Sequence, residues 1–220
     1  MTERIAILGG TGKEGKGLAY RGAKAGLEVV IGSRQVEKAQ ITADEINLLI
    51  GSKQNLVTGL ENHQAADWCD VAVLTVPFNA HKAMLADLKD CLDGKILVDV
   101  SVPLVPPKVS KVQLPAAGSA ALEAKEILGE NIQVVSAFQN ISYEKLLSDL
   151  SIDCDVLVTG SSKEARKQVL LLVELAGMIG WDAGPIENSV VAEGLTSILI
   201  GINSQYGVHD AGIKITGIKR

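Results

Sequence analysis

The chain of 220 residues has only three cysteines, Cys69, Cys91 and Cys154, and no two stand close enough in sequence to form a zinc or redox pair. A disulfide framework is excluded, and reduced, buried thiols are expected, as in a cytosolic protein. The three histidines, His63, His81 and His209, are equally scattered. With no H-x-x-x-H spacing and no His/Cys cluster, no metal is expected. Positive charge is in short supply too: 21 lysines and arginines against 26 aspartates and glutamates leave a net charge of −5. That balance gives no general attraction for nucleic acid or an anionic membrane, so any cation that matters must be locally placed. Long apolar runs are missing. The longest, Val169 to Trp181, is interrupted by Glu174 and is too short to span a bilayer. Met1-Thr2-Glu3-Arg4 leads directly into an apolar strand without the marks of a signal peptide, so a cytoplasmic protein is expected. Internal repeats and low-complexity tracts are absent from the sequence.

What is present is 47% hydrophobic residues, enough for a substantial core. Short apolar runs at 4–9, 27–32, 54–59, 70–76 and 95–101 alternate with helical periodicity from about Gly12, near 35–50, after 59 and near 79–91. Strands without polar alternation, separated by helices, predict a parallel sheet covered on both faces, an α/β fold of the Rossmann-type doubly wound class. The segment 101–118 then carries four of the six prolines, a long irregular stretch of the kind that is usually functional or linking. Beyond it the pattern predicts a helix near 119–128, a strand at 131–138, a short helical stretch, a strand at 154–160, a helix near 163–177 and a last helix after Asn188. The expected organisation is a nucleotide-binding domain over 1–137 and a small, largely helical C-terminal domain over 138–220.

Two phosphate-binding patterns overlap in "GGTGKEGKG", Gly9 to Gly17. A triphosphate loop needs Ser or Thr directly after its Lys to hold magnesium, and here Lys16 is followed by Gly17. The dinucleotide fingerprint G-x-G-x-x-G fits Gly10, Gly12 and Gly15, with a strand before it and a helix after it. Gly10 permits the tight turn, Gly12 lets the backbone approach the pyrophosphate, Gly15 allows close helix packing, and the helix N-terminus faces the phosphates. Thr11, Lys13 and Glu14 complete this loop as candidate cofactor contacts. The end of the second strand chooses between cofactors: an acidic residue there accepts from the ribose of NAD, whereas cations suit the 2′-phosphate of NADP. "GSRQVEK" supplies Ser33, Arg34 and Lys38. Cations at a helix start oppose the helix dipole, so a bound anion accounts for them and NADP is the expected cofactor.

Together, "ILGGTGKEGKGLA", "IGSRQVEKA", "DVAVLTVP", "VVSAF" and "DAGPIENSVVAEGLTSILIGIN" resemble the NADPH-dependent coenzyme F420 reductases, the F420H2:NADP oxidoreductase family, along nearly the whole chain. The resemblance implies direct hydride transfer between NADP(H) and the deazaflavin coenzyme F420 as second substrate, and no catalytic acid or base constellation is obvious in the sequence. It places the nicotinamide against Thr75, Val76 and Pro77 and near Ser101 to Leu104. His81 is expected to cap or line the following helix. Family members carry a His after the sixth strand that contacts the deazaflavin; here that segment places Gln139, and Gln139 and Asn140 can each hydrogen-bond the ring edge as donor and acceptor while Ile141 packs on the ring. The alternatives are an NADPH-dependent reductase of a small imine or carbonyl compound, with Gln139 and His81 positioning substrate, and a non-catalytic NADP-sensing protein. Gly194 and Gly201 on the last helix would allow close helix packing between subunits, and a homodimer is expected.

Overall fold

The computed structural model describes residues 4–51 and 56–218. Gln54 and Asn55, at the start of the expected third strand, and Met1 to Glu3 lie outside the described residues. The Rossmann half alternates β1 (Ile5–Leu8), α1 (Lys13–Lys24), β2 (Val29–Ser33), α2 (Val36–Ile50), β3 (Val57–Glu61), α3 (Asn62–Trp68), β4 (Val71–Leu74), α4 (Phe78–Leu88) and β5 (Ile96–Asp99). It continues through α5 (Ala120–Leu128), β6 (Gln133–Ser136), α6 (Tyr143–Leu146), β7 (Asp155–Gly160), α7 (Lys163–Leu175), β8 (Ile179–Pro185) and α8 (Ser189–Tyr206). The strands form one sheet in the order β3-β2-β1-β4-β5-β6-β7-β8. Pairing is parallel from β3 to β6, with Ile5 opposite Val29 on one side and Val71 on the other. β7 reverses direction against β6, and β8 then runs parallel to β7.

The apolar runs lack polar alternation because both faces of the sheet are covered. Ile5, Ile7, Val29 and Ile31 enter the core on one face, Ala6, Leu8 and Val30 that on the other, as the two-residue period of a strand requires. Local sequence sets the helix ends. Ser119 and Ser162 cap α5 and α7 by accepting from Leu122 N–H and Ala165 N–H, and Gly51 closes α2 in the left-handed conformation.

Among the described residues, 138–218 add two strands to the common sheet as well as three α-helices. β8 was not expected, because "IGWDAGP" is rich in small and polar residues and reads as a loop. Its place at the sheet edge, paired only with β7, tolerates that composition and the closing Pro185. Gly194 and Gly201 face Val112 and Ser110 of the irregular 101–118 segment in the same chain, each 3.6 Å from where a Cβ would lie. That is ordinary van der Waals distance, so the segment lies against this side of α8 without requiring glycine there.

Candidate active site

In open α/β sheets the crevice lies beyond the carboxyl ends of strands at the switch in strand order, here between β1 and β4. A cleft of about 1080 Å³ opens there. Each fingerprint glycine has its own steric reason. A Cβ on Gly10 would lie 2.6 Å from the Ile7 carbonyl oxygen, and one on Gly15 2.6 Å from Gly10 Cα, whereas one on Gly12 would meet nothing within 4 Å. The first two glycines let the turn and helix close on each other. Gly12 faces open space, where a bound group can approach the backbone. No side chain caps the first turn of α1, so its N–H groups are left for a ligand.

Thr11, Lys13 and Glu14 line this cleft with Gly12, as do Ser33 and Arg34. Ser33 is buried, and its Oγ accepts from Gln35 N–H at 3.2 Å. Arg34 is exposed at the rim. Lys38, on the first turn of α2, is exposed and outside the cleft lining. Thr75, Val76 and Pro77 form the opposite wall. The Thr75 hydroxyl donates to Leu8 O at 3.2 Å, and Val76 packs on Gly9, whose φ is +68°.

His81 neither caps α4 nor lines the cleft. It is fully buried beneath it, with Nε2 2.7 Å from Asp99 Oδ2 and Nδ1 3.0 Å from Glu123 Oε1. A ring set between two carboxylates is best matched by an imidazolium, which donates from both nitrogens. Burial pulls its pKa down, but the two carboxylates outweigh that and hold it above the ordinary value. Asp99 Oδ1 also accepts from Ser101 N–H at 2.9 Å, fixing the strand end that turns into the cleft wall. The one sequence signal for this network was an aspartate inside the apolar run "KILVDVS".

A second cleft, of about 450 Å³, adjoins the first and shares Glu14, Val100, Val102 and Leu104 with it. Its other walls are Phe138 to Tyr143 and the inner side of α8, including Thr196 and Asn203. Phe138 has φ of 74°, a left-handed conformation costing a bulky residue about 1–3 kcal/mol, which packing must hold. Gln139 and Asn140 line this cleft but spend their amide N–H groups inward. Gln139 Nε2 donates to Asp99 O at 2.7 Å and Ser136 Oγ at 2.8 Å; Asn140 Nδ2 donates to Asp155 O at 2.7 Å. Main-chain carbonyls only accept, so the amide orientation is forced. The expectation that both amides offer donor and acceptor is therefore corrected to acceptor oxygens alone.

Three features of this second site gave no sequence signal. Arg21, on α1, sends its guanidinium to the carbonyls of Lys145, Leu146, Ser148 and Leu150 at 2.6–3.0 Å, fastening the 145–150 segment to the helix that begins at the glycine loop. Lys13 Nζ lies 3.1 Å from the Tyr143 hydroxyl and 4.6 Å from its ring centre, bridging the clefts. Glu193 of α8 is buried and accepts from Ala120 N–H at 2.7 Å and Ala121 N–H at 3.1 Å, tying α8 to the start of α5. Burial first, and Asp99 second, push its carboxyl up to about 8. Among the described residues no cluster of His, Cys, Asp and Glu could hold a metal, and no helix is long and apolar enough to cross a membrane.

The family described as "NADP oxidoreductase coenzyme F420-dependent" matches residues 4–103. Over 98% of its length, and 99% of the relative's, the chain is 39% identical to the F420-dependent NADP reductase of Methanocaldococcus jannaschii. It is 38% identical to that of Methanothermobacter marburgensis, again over 98% of this chain and 99% of the other. The chain belongs to the F420-dependent NADP reductase family. Likeness of fold extends further. A structure from Arthrobacter sp. FB24, provisionally assigned as an F420-dependent NADP reductase, superposes with a TM-score of 0.78 at 24% identity, covering 98% of this chain and 100% of that one. Pyrroline carboxylate reductase of Plasmodium falciparum, with NADP bound, gives a TM-score of 0.61 at 14% identity over 93% of this chain and 66% of its own. In this reductase family, then, the doubly wound sheet is the shared frame. The glycine loop and β4 end of the present chain fall within the matched 4–103, and the 138–143 loop and α8 lie beyond it.

Proposed function

We propose that the chain is an NADP-dependent oxidoreductase that passes hydride directly between NADP(H) and F420, with the dinucleotide in the larger cleft and the deazaflavin ring in the smaller. The observation that carries this reading is the common wall: two clefts of unequal size meet at Glu14, Val100, Val102 and Leu104. Hydride exchange between two rings needs contact and exclusion of water more than it needs side-chain chemistry. Residues 1–137 bind NADP, and 138–220 complete the second-cofactor side.

In the first cleft Gly10, Thr11, Gly12, Lys13, Glu14 and Gly15 form the pyrophosphate loop, and Ser33, Arg34 and Lys38 select the 2′-phosphate. Arg34 already stands at the rim; Lys38 reaches the phosphate by swinging its flexible stem inward. Thr75, Val76 and Pro77 back the nicotinamide. In the second cleft Ile141 packs on the deazaflavin, while the Gln139 and Asn140 oxygens accept from its imide N–H, a match for amides whose donors are already used. We assign the molecule to the cytoplasm and to a homodimer joined through the outer side of α8, where Val191, Ile198 and Tyr206 are exposed.

The test is a label transfer. NADPH deuterated at the transferred position should deliver deuterium to the deazaflavin carbon, with no solvent hydrogen appearing there. Solvent hydrogen at that carbon would overturn direct transfer, and failure to reduce any deazaflavin would overturn the assignment.

A further inference from the structure

Hydride brings an acceptor ring two electrons and one proton, whereas its neutral dihydro form carries two added hydrogens. One O–H or N–H bond must therefore break elsewhere as one N–H bond forms at the ring. We propose that the Glu14 carboxyl, standing between the two clefts, supplies that proton when hydride moves to the deazaflavin and recovers it in the opposite direction. This rests on the two-ring reading above and adds to it a titrating group.

Glu14 lies on the first turn of α1, and its side chain lines both clefts. Its Oε1 is shut off from solvent and has no hydrogen-bond partner among the described residues. A buried carboxylate oxygen without a donor is costly, and protonation of the carboxyl removes that charge. Burial pushes the group up to about 8. It therefore enters the cycle as an acid near neutral pH, the state a proton donor needs and one that does not repel arriving phosphates.

The neighbouring groups leave this task to Glu14. Gln139 and Asn140 do not titrate and point their N–H groups inward. The Tyr143 hydroxyl is engaged by Lys13 and donates to Glu144 at 3.3 Å, and Thr196 donates to Gln139 O at 2.8 Å. His209 is exposed at the rim. Across the first cleft, Arg34 is a cation, and Glu61 and Asp87 both face His63, at 3.2 and 3.5 Å. Lys16, two residues further along α1, is paired with Glu45 at 2.6 Å. After transfer the ring gains an N–H bond, Glu14 becomes a carboxylate, and solvent restores its proton.

Glu14→Gln keeps the shape and removes the acid; Glu14→Asp keeps an acid on a shorter arm. In the unliganded protein, infrared titration should show protonated-carboxyl C=O absorption that disappears through about pH 8, and in Glu14→Gln this absorption should fall to the share contributed by Glu193. Single-turnover hydride transfer from saturating NADPH to F420 should slow about 10²-fold in Glu14→Gln and lose its dependence on pH across that range. Glu14→Asp should recover part of the rate together with the pH dependence. An absorption that titrates in the ordinary carboxylate range, or an unchanged rate and pH profile in Glu14→Gln, would overturn the proposal. So would a Glu14→Gln protein that loses NADP⁺ binding yet reacts at the parental rate once saturated. Absence of F420 reduction by the parent protein would instead mark failure of the two-ring reading, whatever the infrared titration shows.

Discussion

The two clefts share a wall but are built in different ways. The larger is made by one continuous strand-turn-helix unit and the ends of adjacent parallel strands, so main chain does most of its work: glycines, N–H groups at a helix start, a hydroxyl turned to a carbonyl. The smaller is assembled from the first turn of α1, the 138–143 loop and one side of α8, segments far apart in sequence. Its polar groups are fixed by side-chain contacts to the interior. A pocket made of main chain depends on what fits beside each glycine, and one made of side chains on which hydrogen bonds are already taken.

The sharpest way to break that contrast is within the glycine loop. Gly12→Val should abolish NADP binding in a titration while leaving the apo thermal midpoint nearly unchanged, because its Cβ enters open space. Gly15→Val should destabilise the fold by more than about 3 kcal/mol, since its Cβ meets the Gly10 backbone. Similar stability losses in both variants would mean that Gly12 is structural.

Next in size is the buried layer under the larger cleft. His81→Leu leaves Asp99 without its counter-charge and should cost about 3–5 kcal/mol in urea unfolding. The imidazolium pKa is raised in the fold, so this stabilisation is present below the ordinary histidine range and fades as pH rises through the raised value. A parent-minus-variant difference that instead grows toward alkaline pH would show the ring to be neutral.

Selectivity at the rim is smaller again. Arg34→Ala should weaken NADPH binding by about 1.5–3 kcal/mol and leave NADH almost untouched, as befits an exposed cation meeting a phosphate. Equal losses for both nucleotides would move the phosphate site elsewhere.

The smallest effect is expected in the second cleft. Gln139→Ala should raise KM for F420 about fivefold, close to 1 kcal/mol, with KM for NADPH unchanged, because it removes an acceptor and loosens the loop without removing a charge. An unchanged F420 KM would take Gln139 out of the site.

These differences also explain what could be read in advance. Elements through β7 follow from apolar runs and periodicity because a doubly covered parallel sheet imposes both, and the steric roles of Gly10, Gly12 and Gly15 follow from spacing between a strand and a helix. Periodicity could not show that β8 extends the sheet, since an edge strand need not be apolar. Spacing could not show that Gln139 and Asn140 turn their amides inward, or that Arg21 and Glu193 clamp the second cleft, because those partners are set by tertiary approach. Asp99 was visible as a polar break in an apolar strand, but its partner His81 on α4, and Glu123 of α5 on the far side of that ring, were not.

The Arg21 clamp carries a consequence for motion. One guanidinium holds four carbonyls of the 145–150 segment, so that stretch cannot open without abandoning several bonds to α1 together. The same helix carries the first turn to which the proposed function assigns the dinucleotide. On the proposed reading, whatever steadies that turn also steadies the segment that follows the 138–143 wall of the second cleft, and by thermodynamic reciprocity a ring seated against that wall would tighten the grip on the nucleotide. On that reading, communication between the two cofactors would run along the twelve residues of a single helix, through breathing open to the empty protein and closed to the doubly loaded one.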